Sequence, residues 1–180
     1  MAREKEIRAR LRNVLDRQLA GKRIRCHGDY HLGQVLFLGN DFAILDFEGE
    51  PARSLAERRR KRSPLADVAG MLRSFHYASY GVLTGDLPHT QVRPDDRPLL
   101  ESWARLWYDS VSATYLSAYL GTMGSSDLLP GREDELSLLL DVHLLEKSLY
   151  ELSYEMNNRP TWLSIPLRGI LEVLDAGQSP

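Results

Sequence analysis

Four oxygen-bearing side chains, Asp29, Gln34, Asp46 and Glu48, fall within one stretch, Cys26 to Pro51, that reads CHGDYHLGQVLFLGNDFAILDFEGEP. Hard oxygen donors of this kind suit magnesium, which is held by one or two carboxylates and otherwise by water and substrate phosphates. A neighbouring carboxylate can instead take a proton from a hydroxyl nucleophile. A base on one side of a short hairpin and a metal carboxylate on the other is the arrangement of kinase-type phosphoryl transfer.

The hairpin between them does the positioning. Val35-Leu36-Phe37-Leu38 and Phe42-Ala43-Ile44-Leu45 are apolar runs of strand type. Gly39-Asn40-Asp41 supplies residues that tolerate positive φ at a tight turn. An antiparallel hairpin returns its far end to its start, so Asp29 and Gln34 become neighbours of Asp46 and Glu48. Runs this apolar predict strands buried on both faces or covered by helices.

Protein kinases carry H-R-D-x-x-x-x-N followed by D-F-G. This chain has His27-Gly28-Asp29, then Gln34 five residues after the Asp, then Asp46-Phe47-Glu48. HGDYHLGQ followed by LDFEGEPARSLAERRRKRSPLADVAGMLRSF resembles the large lobe of the maltokinases, above all the maltokinase portion of trehalose synthase–maltokinase fusions. The wider group is the aminoglycoside-phosphotransferase-like kinases, most of which have Asn where this chain has Gln34. LLEKSLYELSYEMNNRPTWLSIPLRGIL resembles the maltokinase C-terminus, and the likeness runs from about Arg23 to Leu174.

The resemblance implies roles. Asp29 is similar to the catalytic base that polarises the sugar hydroxyl, and Gln34 and Asp46 to the magnesium ligands. His27 resembles the histidine that packs beneath the catalytic Asp. Asp67 resembles the helix-borne Asp that holds the catalytic loop from below. His31, Glu48, Tyr150, Glu151, Tyr154 and Arg159 match polar and aromatic positions near the sugar. ATP and Mg2+ are the implied co-substrate and cofactor, and maltose is the implied acceptor.

Composition is in keeping with this. The chain has 180 residues, is 43% hydrophobic and 27% charged, and carries a formal net charge of −2. That is enough for one domain, taken as 1–180, with its own core. The charge disfavours a nucleic-acid-binding module. One cysteine precludes an internal disulfide and suits a reducing cytoplasm. No apolar run reaches the roughly 20 residues of a membrane span, and the charged N-terminus does not read as a signal peptide.

The remaining sequence reads as helices. Residues 3–19 carry Ile7, Leu11, Val14, Leu15 and Leu19 on one stripe, with Gly21 as terminator. The segment reads as a core-packing helix rather than a membrane binder. Arg23 to Cys26 reads as a short strand. Ser54 and Glu57 have capping-box spacing, and Arg58-Arg59-Arg60-Lys61-Arg62 reads as a solvated cationic end rather than a phosphate site. Ser63-Pro64 starts a helix to about Leu83, in which His76 is a core histidine. Residues 84–97 form a loop, where His89, Asp95 and Asp96 match no metal spacing. Leu99 to Leu120 carries a stripe of Trp103, Leu106, Trp107, Val111, Thr114, Tyr115 and Ala118, read as helix–helix core with a sugar platform as the alternative. Arg132 to Met156 is a long helix, and Ile165 to Leu174 a last short one.

The expected fold is therefore α+β and mostly helical, the large C-terminal lobe of a protein-kinase-like fold with a small catalytic hairpin. There is no Gly-rich loop and no strand Lys paired with a Glu to clamp ATP. The expected function is part of an ATP-dependent maltokinase that makes maltose 1-phosphate, inactive without the ATP-clamping N-terminal lobe. Expected partners are that lobe or a trehalose synthase domain. The alternatives are an aminoglycoside- or choline-type kinase and a non-catalytic docking module of trehalose synthase.

Overall fold

The computed structural model describes residues 3–15, 17–84, 90 and 92–176. Helix α1 (Glu4–Leu15) is followed by a 3-10 turn at Leu32–Gln34 and by strands β1 (Val35–Phe37) and β2 (Phe42–Ile44). Helices α2 (Leu55–Arg58), α3 (Leu65–Gly81), α4 (Arg97–Met123), α5 (Glu133–Asn158) and α6 (Ser164–Ala176) complete the order. The contacts divide the chain into two compact units, 1–71 with 125–144, and 72–124 with 145–180. The boundaries fall inside α3 and α5.

In the first unit, α1 stops at Leu15 instead of running to residue 19, and Leu15 is 82% exposed. The donors beyond it go to tertiary partners. Ala20 N–H reaches the Glu135 carboxylate at 3.3 Å, and Lys22 N–H reaches the Leu128 carbonyl at 3.2 Å. Gly21 serves this close approach, not the helix end. Its φ is 98°, and a Cβ there would stand 3.1 Å from the Leu128 carbonyl oxygen. The expected strand at Arg23 to Cys26 reduces to one antiparallel bridge between Ile24 and Arg62, each donating to the other at 2.9 Å.

The hairpin forms as the turn residues dictate. Val35 faces Ile44, Leu36 faces Ala43 and Phe37 faces Phe42. Leu38 N–H closes the turn on the Asp41 carbonyl at 2.8 Å, with Gly39 at φ 92°. Its burial differs from expectation. Phe37 and Phe42 are 62% and 63% exposed, and Leu36 and Ile44 are also exposed. A continuous apolar run shows that a strand suits an apolar environment; it does not show that the same stretch of chain supplies the cover.

Two local predictions hold to the atom. Ser54 and Glu57 form the capping box at the start of α2: Ser54 Oγ accepts from Glu57 N–H, and Glu57 accepts from Ser54 N–H. The Ser54 hydroxyl, donating to the Glu57 carboxylate at 2.6 Å, together with the Ser54 N–H holds that carboxyl below its ordinary pKa. Ser63 Oγ accepts from Leu65 N–H at 3.3 Å, where α3 begins after Pro64. Leu65, Val68, Ala69, Leu72, Phe75 and His76 are buried along that helix.

In the second unit a core forms from Tyr80, Leu83, Ala104 and Ile165, with Tyr77, Leu100 and Trp162 packed on it. The buried face of α4 carries Ala104 and Ser112. The expected stripe is only partly covered: the Trp107 and Tyr115 rings pack edge-on against Phe75 of α3, at 6.5 and 5.5 Å between centroids, whereas Trp103 is 60% and Leu106 55% exposed. His89 lies outside the described residues. Among the described residues no helix is long and apolar enough to cross a membrane.

Candidate active site

Asp67, in the first turn of α3, supports the Asp29 loop. Its Oδ2 accepts from His27 N–H at 2.7 Å and its Oδ1 from Gly28 N–H at 2.9 Å. One carboxylate thus fixes two consecutive amides, an arrangement worth more than two neutral hydrogen bonds. Asp29 N–H then donates to His27 Nδ1 at 3.3 Å. With Nδ1 accepting, the His27 proton resides on Nε2, which donates to the Leu45 carbonyl at 2.6 Å. The buried His27 ring therefore ties the loop to the residue preceding Asp46. The Phe47 ring packs against it, centroids 4.9 Å apart.

The hairpin brings the second pair together. Leu45 N–H donates to the Gln34 carbonyl at 2.9 Å, and Gln34 Nε2 donates to Asp46 Oδ2 at 3.2 Å. Asp46 has φ 59°, the left-handed region that Asp and Asn tolerate better than other side chains. Gly28 (φ 87°) and Gly49 (φ 80°) permit the turns on either side, and a Cβ on Gly28 would meet the Gly49 Cα at 3.5 Å. The His27–Asp29 loop and the Asp46–Gly49 loop are therefore in contact, as antiparallel return requires.

The donor chemistry at Gln34 and Asp46 fits magnesium. A carboxylate and an amide, both carrying hard oxygen, touch each other at a solvent-exposed edge. Among the described residues no three His, Cys, Asp or Glu side chains converge on one point. Magnesium held there would complete its shell with water and phosphate oxygens.

Around Asp29, the His31 ring accepts from Gly33 N–H through Nδ1 at 3.0 Å, leaving Nε2 3.8 Å from Asp29 Oδ2. Glu48 is 78% exposed, with Arg58 Nη1 3.7 Å away. Burial, with Asp67 nearby, raises the Tyr30 phenol and lifts the Cys26 thiol to about 11, so that thiol stays protonated and inert.

Sequence reasoning missed Gly70. A Cβ on Gly70 would stand 2.6 Å from the Tyr30 carbonyl oxygen. The catalytic-type loop lies directly on the α3 backbone there. The available signal was a glycine inside a helix, a choice that costs about 1 kcal/mol relative to alanine and needs a packing reason.

Tyr150, Glu151, Tyr154 and Arg159 lie in the second unit. Glu151 is buried and accepts from Arg73 Nε at 2.8 Å. Burial raises its pKa against the pull of Arg73. Arg159 holds Glu155 through two bonds, at 2.9 and 2.7 Å, and its guanidinium lies over the Trp162 and Tyr154 rings. Tyr77 donates to Glu155 at 3.0 Å, and burial with Glu151 and Glu155 pushes its phenol far up. Tyr154 is exposed, and the Tyr150 ring carries the Lys147 ammonium 5.3 Å from its centroid. Glu151 and Arg159 thus hold this unit together, while the Tyr154 ring is open to solvent.

A loop clamped by a helix-borne Asp, next to a hairpin that returns a second carboxylate beside an amide, is the layout of the C-terminal lobe of kinase-like phosphotransferases. Residues 2–75 match the family described as "Phosphotransferase enzyme family". The chain is 30% identical over 157 residues to a glucosamine kinase of Mycolicibacterium smegmatis (strain ATCC 700084 / mc(2)155), covering 85% of this chain and 35% of that protein. A solved structure of glucosamine kinase, crystal form A, superposes with TM-score 0.75 at 25% identity, covering 98% of this chain and 40% of the other. Another, of glucosamine kinase in complex with glucosamine, ADP and inorganic phosphate, matches with TM-score 0.66 at 24% identity, over 84% and 35%. The fold, mostly helical with one small two-stranded sheet, is therefore that of a kinase-like C-terminal lobe. The chain spans about a third of the length of the curated relatives it matches.

Proposed function

We propose that this chain is the acceptor-activating lobe of an ATP-dependent sugar kinase. The observation that carries the reading is the double clamp on the Asp29 loop, by Asp67 on two amides and by His27 on the Leu45 carbonyl. It fixes Asp29 relative to the Gln34–Asp46 pair, which is what in-line transfer between two bound groups demands. Asp29 orients a sugar hydroxyl and accepts its proton as the oxygen attacks the γ-phosphorus of ATP and the bond to the departing ADP breaks. His31 Nε2, beside Asp29, steadies the carboxylate. Gln34 and Asp46 would hold Mg2+, which when bound offsets the charge of the ATP phosphates. Glu48, on the loop that touches the Asp29 loop, is a further acceptor contact in this reading.

The acceptor we favour is maltose, phosphorylated at its anomeric hydroxyl to maltose 1-phosphate; the DFEGEP loop and the C-terminal stretch from Leu144 to Leu171 support this. Glucosamine is the second reading, supported by the names of the similar proteins. In this reading ATP is clamped by a further lobe, either a kinase N-terminal lobe or one fused with trehalose synthase. The single cysteine and the need for ATP suit the cytoplasm.

The test is phosphate transfer from ATP with magnesium, offering maltose, glucosamine, an aminoglycoside and choline. It is run on the 180-residue chain and on the chain joined to an ATP-clamping lobe. Maltose phosphorylation by the joined protein alone is the expected result. Asp29→Asn should then lower kcat by about 10²–10⁴ while the chain still folds, because the bond from Asp29 to His27 is made by the backbone. Turnover of glucosamine alone moves the acceptor to the second reading. Transfer to none of the four sinks the kinase reading in favour of a docking module.

A further inference from the structure

We infer that the exposed face of α4 is a two-fold, antiparallel contact between two copies of this chain. Leu99, Trp103, Leu106 and Trp107 are 63%, 60%, 55% and 45% exposed, all on one side of the N-terminal half of the helix. The same side of the C-terminal half carries Ser110, Ala113, Thr114, Ser117 and Gly121, all exposed. No charged residue occurs among these nine positions. The charges of α4 lie on another side, where Arg105 meets Asp109 and Glu172, and Glu101 meets Arg168. A solvated helix face is normally rich in Lys and Glu; this one runs uncharged from Leu99 to Gly121, about 33 Å at 1.5 Å per residue.

Size sets the partner. Positions equidistant from Ser110 pair a large side chain with a small one: Leu99 with Gly121, Trp103 with Ser117, Leu106 with Thr114, Trp107 with Ala113. An isologous antiparallel pair centred on Ser110 places each bulky residue of one copy over a small residue of the other. Parallel pairing would set tryptophan against tryptophan. A Cβ on Gly121 would meet nothing within 4 Å, so the space for Leu99 of the second copy is open. Two of the three hydroxyls in the strip are already satisfied: Ser110 donates to the Leu106 carbonyl at 2.7 Å and Thr114 to the Ser110 carbonyl at 2.8 Å. Covering those two strands no donor. Because both faces are uncharged, association buries no like charges.

The large side chains of both copies would bury about 1,000 Å² in total, the lower bound for a specific interface. The association is therefore weak and concentration-dependent. Residue 110 lies on the two-fold axis. With helix axes about 9–10 Å apart and Cα atoms about 2.3 Å from each axis, the two Ser110 Cα atoms stand about 5 Å apart, within disulfide range.

Sedimentation velocity on the 180-residue chain over rising concentration should show a monomer–dimer equilibrium. Trp103→Glu, at a site exposed enough not to disturb folding, should abolish it with an unchanged circular dichroism spectrum. In a Cys26→Ser background, with oxidised glutathione as oxidant, Ser110→Cys should give a covalent dimer and Ser117→Cys should not. A chain that stays monomeric throughout overturns the inference. So does a dimer that survives Trp103→Glu, or one in which Ser117→Cys links in preference to Ser110→Cys.

Discussion

Replacing Asp67 by Asn should loosen the candidate catalytic loop while preserving side-chain size. Each Asp67 oxygen accepts one backbone N–H, at 2.7 and 2.9 Å. An amide retains one acceptor and turns an NH2 group toward the other donor, so one charge-assisted bond is lost and two donors confront each other. A hydrogen bond to a charged group contributes about 1.5–3 kcal/mol, and an unpaired donor adds a cost of similar size when buried. Gly28 is exposed and water relieves part of that cost, so the expected loss is about 2–4 kcal/mol. For a chain of this size that lowers Tm by about 4–16 °C, at 2–4 °C per kcal/mol. Tm by intrinsic fluorescence gives the global effect, and amide hydrogen exchange at His27 and Gly28 gives the local one. A Tm within 2 °C or so of the parent's, with both amides equally protected, would refute the clamp argument.

Three further outcomes follow from named contacts. Burial lowers the His76 pKa to about 4, and its Nε2 lies 3.3 Å from Glu172. Below pH 6.5 the unfolded chain takes up a proton that the folded one refuses until about pH 4, so stability falls as pH drops through that window, by about 3 kcal/mol in all. The lowered pKa of Glu172 acts in the same direction; a His76→Gln variant should show a visibly flatter Tm-versus-pH curve. Gly70→Ala should cost about 1–3 kcal/mol and displace the Asp29 loop, because the 2.6 Å clash is with the Tyr30 backbone; equal Tm and turnover would refute the close-approach argument. Glu151→Ala should destabilise by about 3–5 kcal/mol by leaving Arg73 buried and unpaired. Replacing both by Met and Leu should restore most of that loss in urea denaturation.

The geometry of the candidate site was legible because its determinants are local. The Gly39-Asn40-Asp41 turn fixes the hairpin, the hairpin fixes which carboxylates meet, and Ser63-Pro64 fixes where the Asp67 helix starts. Each is written within a few residues. What stayed hidden depends on contacts distant in sequence. Arg73 and Glu151 are 78 residues apart, and no spacing rule links them. The buried side of α4 was misjudged because both sides of that helix are apolar, and periodicity does not distinguish an inward face from an uncovered one. Helix α1 ended early because Ala20 and Lys22 found partners near residues 128 and 135. The hairpin's exposure was equally invisible, since apolarity reports a strand's preference rather than its surroundings.

Asp46 sits at φ 59°, which narrows the paths by which this position can drift. A substitution there must satisfy two independent filters, one set by backbone torsion and one by oxygen chemistry. Glycine passes the first and fails the second; glutamate presents a carboxylate but is ill suited to the torsion. Asparagine alone keeps both the torsion and an oxygen donor, while discarding the charge. If residue 46 holds the proposed cation, a lineage relaxing that hold should pass through Asn or Gly there before any other residue. The side chain found there in a divergent copy is then a test of the proposed ion binding.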